Sequence, residues 1–141
     1  MTIYAESSAV LSWLLGEPSG EPARRLLADA DLVLASDLTL VECDRVLNRA
    51  TALGEIKEGD AASRRARLNG AAASWQVARL TPEVMERARR PFPLEPVRTL
   101  DALHLSAVLF LRGAVPGLVL LSLDERIRAV ARQLGLDVAP A

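Results

Sequence analysis

Four acidic residues, Glu6, Glu42, Asp101 and Asp124, stand where apolar runs give way to helix-forming stretches, and what they offer is oxygen chemistry. Hard divalent cations such as Mg²⁺ and Mn²⁺ prefer carboxylate oxygen and retained water, with no nitrogen or sulfur required. Carboxylates gathered in one crevice repel one another and raise their own pKa values, so a converging set implies a bound cation. A cation so held polarises a phosphate oxygen, activates a water and stabilises the leaving oxygen in phosphodiester hydrolysis. Spacing alone does not establish that the four meet. Taken singly, Asp101 and Asp124 could be helix N-caps, Glu6 a polar residue ending a strand, and Glu42 half of an intrahelical pair with Arg45 or Arg49.

Other chemistries are excluded more firmly. The one histidine, His104, rules out HExxH and paired-histidine metal sites within a single chain. No glycine-rich phosphate loop follows any strand, so a nucleotide-binding role lacks its backbone cradle. Ser7 or Ser8 with His104 would make a nucleophile pair, but no G-x-S-x-G elbow surrounds either serine. The single cysteine, Cys43, excludes an internal disulfide framework and thiolate zinc sites and fits a reducing compartment. Beside Glu42 it reads as a small buried hydrophobe.

The elements that must position the acids follow from the apolar pattern. Thr2 to Ala5 reads as a strand ending at Glu6, after which Ser7-Ser8 cap an apolar helix to about Leu15, stopped by Gly16 and Pro18. A helix around Pro22 to Ala28 leads to the buried strand Leu32 to Ala35. Ser36-Asp37 then open a helix over about Leu38 to Leu53, with Glu42 one turn in and Val46, Leu47 and Ala50 on its apolar stripe. Asp60 to Ala73 reads as a helix, Trp75 to Leu80 as a strand, and Thr81-Pro82-Glu83 as a helix start. Three prolines make Pro91 to Pro96 an extended connection. Asp101 to Leu111 is an apolar helix, Gly113 to Gly117 a loop, and Leu118 to Leu123 a strand ending at Asp124. A helix from Glu125 to Leu134 and a short strand near Val138 complete the chain. Alternating strands and helices predict a parallel sheet covered on both faces, with ligands bound beyond the carboxyl ends of the strands. Glu6 and Asp124 fall there.

The 141 residues fit one domain, 1–141, with no internal repeat or linker. The longest apolar run near the N-terminus, Ala9 to Leu15, is interrupted by Ser12 and no positive region precedes it. Neither a signal peptide nor a membrane span is therefore expected, and the expected location is cytoplasmic. A net charge of −1 argues against a surface that is basic throughout, so any nucleic acid must be held locally. Sixteen of the 17 basic residues are arginine. They cluster at Arg24 and Arg25, at Arg64, Arg65 and Arg67, at Arg87, Arg89 and Arg90, and at Arg126 and Arg128. Arginine clamps phosphate well, but on exposed helices such clusters are more often solvated faces.

Four strings carry a further resemblance. Ile3-Tyr4-Ala5-Glu6-Ser7-Ser8-Ala9-Val10 sets a strand-end acid before small hydroxylated residues and an apolar helix. Leu40-Val41-Glu42 puts an acid early in the helix after the second strand. Arg98-Thr99-Leu100-Asp101-Ala102-Leu103-His104-Leu105-Ser106-Ala107 is the most specific string, and Leu121-Ser122-Leu123-Asp124 ends a strand in a hydroxyl residue, a spacer and an acid. In this order, over essentially the whole chain, they resemble the motifs of a PIN domain of the VapC type.

The resemblance implies a three-layer α/β/α fold with a five-stranded parallel sheet whose first and fourth strands are neighbours. Glu6 would then lie beside Asp124, with Glu42 and Asp101 closing the site. It implies that these four acids are catalytic and hold Mg²⁺ or Mn²⁺, and that Ser7 and Ser122 support the metal shell or the scissile phosphate. His104 accompanies the third motif without being one of its acids, and a packed role is expected for it. The resemblance further implies an endoribonuclease toxin of a type II toxin–antitoxin system that hydrolyses RNA by metal-activated water. It would form a homodimer, have no membrane association, and be inhibited by a VapB-like antitoxin whose C-terminal segment covers the acidic site. One departure stands out: the first acid of the family is usually aspartate, and Glu6 is one methylene, about 1.5 Å, longer. A PIN-fold protein-binding module with impaired catalysis is therefore the rival reading, and a stand-alone phosphatase or phosphate-transfer domain a third.

Overall fold

In the computed structural model, which describes residues 1–141, the strands are β1 (Thr2–Ala5), β2 (Leu32–Ser36), β3 (Gln76–Ala78), β4 (Val119–Leu121) and β5 (Asp137–Ala139). The helices are α1 (Ser7–Leu14), α2 (Gly20–Asp29), α3 (Asp37–Ala52), α4 (Glu58–Ala72), α5 (Pro82–Ala88), α6 (Thr99–Ala114) and α7 (Glu125–Gln133). The strands form one sheet in the order β3-β2-β1-β4-β5, with every neighbouring pair parallel. β1 is the central strand, with Ile3 opposite Val33 on one side and Val119 on the other.

Alternation along β1 divides the core in two. Tyr4, with Leu34 and Leu120 of the flanking strands, packs against Val84 of α5, Leu105 and Val108 of α6, and Ile127 and Val130 of α7. On the opposite face Ala5 and Val33 meet Val10 and Leu14 of α1, Cys43 of α3 and Leu68 of α4, while Ile3 and Leu121 meet Ala23 of α2. The sheet is thus covered on both faces, giving the three-layer α/β/α arrangement with its five-stranded parallel sheet. The chain leaves β1 toward β2 on one side and returns to β4 on the other, so the strand order reverses between β1 and β4. In open parallel sheets that point opens a crevice beyond the strand ends. No helix is long and apolar enough to cross a membrane.

Several boundaries differ from the sequence reading for local reasons. The cap of α1 is Glu6, not Ser7-Ser8: Glu6 stays extended at φ −82° and ψ 149°, and its carboxylate accepts the Ser8 N–H. α6 starts at Thr99, so Asp101 is its third residue, and it runs on through Gly113 to Ala114. β4 is shorter than Leu118 to Leu123, because the Leu118 N–H turns back to Val115 and, past the last bond to β5 from the Ser122 N–H to Ala139, the Leu123 N–H goes to the Ser8 hydroxyl. The proline-rich connection is held by Glu95, whose carboxylate accepts the N–H groups of Phe92 at 2.7 Å and Val97 at 2.8 Å.

α2 crosses the end of α1 so closely that a Cβ on Gly20 would overlap the Ser12 carbonyl and come within 2.6 Å of the Trp13 nitrogen. Both obstacles are backbone, which cannot step aside as a side chain would. Gly20→Ala is therefore expected to cost about 1–3 kcal/mol or more, lowering the melting temperature by roughly 2–4 °C per kcal/mol. A thermal melt followed by circular dichroism checks this; an unchanged midpoint would show that α2 shifts freely.

Candidate active site

Glu6 is the first residue beyond β1, and its N–H extends the pairing with β4 by donating to the Leu121 carbonyl at 3.0 Å. Its side chain is buried and folded back. Oε1 accepts the Ser8 N–H at 3.1 Å, while Oε2 accepts the hydroxyls of Ser8 and of Ser122, the latter at 2.8 Å. The Ser8 hydroxyl also accepts the Leu123 N–H at 2.9 Å, and that of Ser122 accepts the Asp124 N–H at 3.2 Å. The first turn of α1 is thereby tied to the end of β4. Asp124 itself caps α7, with Oδ1 accepting the N–H groups of Arg126 at 2.9 Å and Ile127 at 3.3 Å. The cap reading of Asp124 thus holds, and the same residue lies beside Ser122 at the mouth of the crevice.

α3 is docked under β1 by the Thr39 hydroxyl, which donates to the Ala5 carbonyl at 2.9 Å. One turn later Glu42 faces inward and pairs with neither Arg45 nor Arg49. Its Oε1 accepts the Ser7 hydroxyl at 2.8 Å and lies 2.5 Å from Nε2 of His104. Burial raises the pKa of this carboxyl, but hydrogen bonds and charge from His104 and the Ser7 bond outweigh it, and the net shift is downward. On the far side of the imidazole, Nδ1 is 3.0 Å from the Tyr4 hydroxyl, which is 2.8 Å from Oγ of Ser36. Nε2–H donates to Glu42, and the Tyr4 hydroxyl, which can donate or accept, pairs with Nδ1 on the other side of the ring. Burial pushes the Tyr4 phenol well above its usual range, so it stays protonated. His104 is buried and packed, as expected, but it also grips Glu42. Cys43, at 0% exposure, is pushed up to about 12 by burial and is inert as a nucleophile.

Asp101 sits one turn ahead of His104 on α6, half-buried, and its carboxylate accepts no hydrogen bond from the protein. Burial and the charges of Asp124 and Glu6 hold its pKa above the ordinary carboxylate value, against a smaller opposing pull from Arg126 and His104. The potential ligand atoms of Glu6, Glu42 and His104 all lie within 4.8 Å of one another. Asp101 and Asp124 lie outside that compact group but share its field. Oε2 of Glu42, Oδ2 of Asp124 and both oxygens of Asp101 have no protein donor. Carboxylate oxygens that repel one another and lack donors fit a hard divalent cation, which would offset the burial cost and the repulsion that together raise Asp101.

Three contributors escaped the sequence reading. The Ser8 hydroxyl crosslinks Glu6 to the Leu123 N–H, and the polar end of Tyr4 anchors His104. Arg128, read within an arginine cluster, points inward at 5% exposure. Its Nη1 donates to the carbonyls of Ser122 at 2.7 Å and Ala139 at 3.1 Å, and its Nη2 to that of Pro140 at 2.7 Å. It clamps the backbone that presents Ser122. The only sequence signal was its place between Ile127 and Ala131 on the inward side of α7. Elsewhere the solvated-face reading describes Arg24 and Arg25, which pair with Glu21, and Arg89, which pairs with Glu86.

Residues 3–133 match the family described as PIN domain. Ribonuclease VapC46 of Mycobacterium tuberculosis is 32% identical over 136 residues, covering 96% of this chain and 95% of that protein. Among solved structures, VapC20 of Mycobacterium tuberculosis, a sarcin–ricin loop cleaving toxin, shares 18% identity. It aligns over 90% of this chain and 93% of its own with a TM-score of 0.65. A toxin–antitoxin complex from Klebsiella pneumoniae aligns over 90% of each chain at 17% identity and a TM-score of 0.61. At such identities the structural likeness is one of fold. The family match and the 32% relative each span nearly the whole sequence, and on that ground the chain belongs to the PIN domain family, in its VapC-type branch.

Proposed function

We propose that this chain is a Mg²⁺- or Mn²⁺-dependent endoribonuclease acting as the toxin of a type II toxin–antitoxin pair. The observation that carries the reading is Asp101, a half-buried carboxylate without a protein donor whose pKa is raised by burial and by Asp124 and Glu6. Such an arrangement is unfavourable for the protein alone and is made favourable by a cation. When bound, the cation supplies a polarised phosphate oxygen and an activated water.

In this reading Glu6, Glu42, Asp101 and Asp124 are both the catalytic and the metal-holding residues. Ser7 and His104 fix one oxygen of Glu42 and leave the other free, so that carboxylate is presented in one orientation. Ser122 restrains Glu6 and, through the Asp124 N–H, the start of α7. The helix dipole near the start of α6 offsets only part of the cost of ionising Asp101, whose pKa stays raised. RNA as substrate is supported by the relative named a ribonuclease, and a VapB-like antitoxin by the structural neighbour solved as a toxin–antitoxin complex. A single domain over 1–141, a homodimer and a cytoplasmic location complete the proposal.

A second reading, a PIN-fold binding module with impaired catalysis, is favoured by the engagement of both Glu6 oxygens with Ser8 and Ser122. Incubation of the purified protein with structured RNA and Mg²⁺ or Mn²⁺ separates the two. The nuclease reading expects cleavage that chelator and Asp101→Asn each abolish. Cleavage that survives both would sink it, as would hydrolysis of small phosphoesters with no preference for polymer. The second reading expects no cleavage by the wild type but a gain with Glu6→Asp, which restores the shorter acid and keeps a good helix cap.

Stability offers an independent check of the charge argument. Because the Asp101 pKa is raised in the fold, its ionised form is destabilising above that pKa, and the penalty disappears as the pH falls through it. Asparagine is neutral throughout. Metal-free Asp101→Asn should therefore melt above the wild type at pH 7 by roughly 2–4 °C per kcal/mol of relieved burial cost and repulsion, with the gap closing toward acid. Mn²⁺ should raise the midpoint of the wild type and raise that of the variant far less. Equal melting of the two metal-free proteins across this range would refute the repulsion.

A further inference from the structure

The helix starts that carry Asp101 and Asp124 also enclose a cavity of about 270 Å³. Its floor is apolar, made by Leu105 of α6 with Ile127 and Val130 of α7, all buried. One wall is Pro96-Val97, fixed by the bond from the Val97 N–H to the Glu95 carboxylate. Arg98 and Arg126 stand at its rim beside Asp101. Both arginines are exposed. The Arg98 side chain makes no hydrogen bond or ion pair with the protein, and that of Arg126 reaches only Asp124, with its Nε 4.0 Å from Oδ1.

The geometry points to a nucleotide subsite: the cavity receives one nucleobase of a single-stranded RNA whose adjoining phosphates are held by Arg98 and Arg126. This inference rests on the nuclease reading for the identity of the polymer. Its physical content is separate. The floor presents no donor or acceptor, so it can cover the face of a base but cannot read its edge, and recognition is by shape and stacking. The volume falls just below the range of about 300–1,000 Å³ typical of drug-sized sites, which suits one nucleoside rather than an extended segment. A base reaches such a recess only when splayed from its neighbours, which restricts it to loops and single strands. One guanidinium group with no protein partner, that of Arg98, and one held only at 4.0 Å by Asp124, that of Arg126, favour a polyanion over an apolar peptide, and guanidinium planes also stack on bases. Each arginine lies within three residues of a site acid, Arg98 before Asp101 and Arg126 after Asp124. A strand whose base enters the cavity therefore lays its backbone past those carboxylates.

The test is fluorescence anisotropy of the full chain with a labelled single-stranded RNA decamer, using Ca²⁺ in place of Mg²⁺, and with a set of decamers carrying one abasic residue at successive positions. Arg98→Ala and Arg126→Ala are each expected to weaken binding about tenfold and to reduce the salt slope by about 1. Arg132→Ala, at the far end of α7, should leave both unchanged. For the wild type, one abasic position should weaken binding by about fivefold or more. That penalty should disappear in Val97→Phe, which fills the recess from its half-buried wall. Circular dichroism establishes that each variant is folded.

Unchanged affinity and salt slope in both arginine variants would overturn the subsite, as would the absence of any sensitive abasic position. It would equally be overturned if the variants bound RNA normally but escaped a co-expressed antitoxin, because the cavity would then be a protein site. A wild type that shows the abasic penalty but never cuts RNA supports the subsite and refutes the nuclease reading. A wild type that cuts RNA, with arginine variants of unchanged KM, refutes the subsite alone.

Discussion

Acids from four different elements lie toward the carboxyl edge of the sheet, Glu6 close to Glu42 and, with Asp124, acting on Asp101, and accommodating that charge is the main physical demand on this fold. Unit charges 4 Å apart interact by about 4 kcal/mol at an effective dielectric of about 20. The whole domain is expected to be stable by only about 5–15 kcal/mol. Repulsion on that scale has to be offset locally. Three of the acids have protein donors: Glu6 from Ser8 and Ser122, Glu42 from Ser7 and His104, and Asp124 from the first N–H groups of α7. Asp101 has none, and burial together with the charges of Asp124 and Glu6 holds its pKa up.

The same donors set direction as well as energy. The chain from Ser36 through Tyr4 to His104 is buried, so each member must find its partner within the protein. That requirement fixes the ring and hence which oxygen of Glu42 is engaged. Thr39 and Arg128 do comparable work on the backbone, the first joining α3 to the end of β1 and the second joining the residue after β4 to the end of β5 and Pro140. Polar groups near the crevice are therefore mostly restraints on other polar groups, mounted on a parallel sheet whose two apolar faces are filled independently.

Much of this was legible in the residues because apolar periodicity and capping are local. Strand β1, the run into β2, the start of α5 at Thr81-Pro82 and the cap at Asp124 all stand where the pattern put them. What was not legible depends on contacts distant in sequence. Glu42 has Arg45 and Arg49 one turn away, and helix geometry alone would pair them, yet Ser7 and His104 arrive from α1 and α6 and take the carboxylate. Arg128 looks like its neighbour Arg126, and only the turn after β4, with its unpaired carbonyls, distinguishes a buried clamp from an exposed side chain. Asp101 was read as opening its helix. Two further residues fit ahead of it because Arg98 takes the extended cap position at φ −72° and ψ 157°.

Glu6 shows how a side chain one methylene too long can still occupy an acid's place at the end of β1. The added length is absorbed by folding back: the carboxylate returns over α1 to accept the Ser8 N–H, as a shorter cap residue would, and its second oxygen turns to Ser8 and Ser122. Capping and convergence are therefore not competing roles for this residue, since the bond that ends the strand and starts the helix also aims the carboxylate at β4. The consequence is a tightly held charge rather than a mobile one. A cation approaching Glu6 meets an oxygen whose position is set by two serines, so the extra methylene alters the charge's reach while those hydroxyls keep it within 3.8 Å of His104 Nε2. Asp101, unrestrained by any donor, is the member of the set that can adjust.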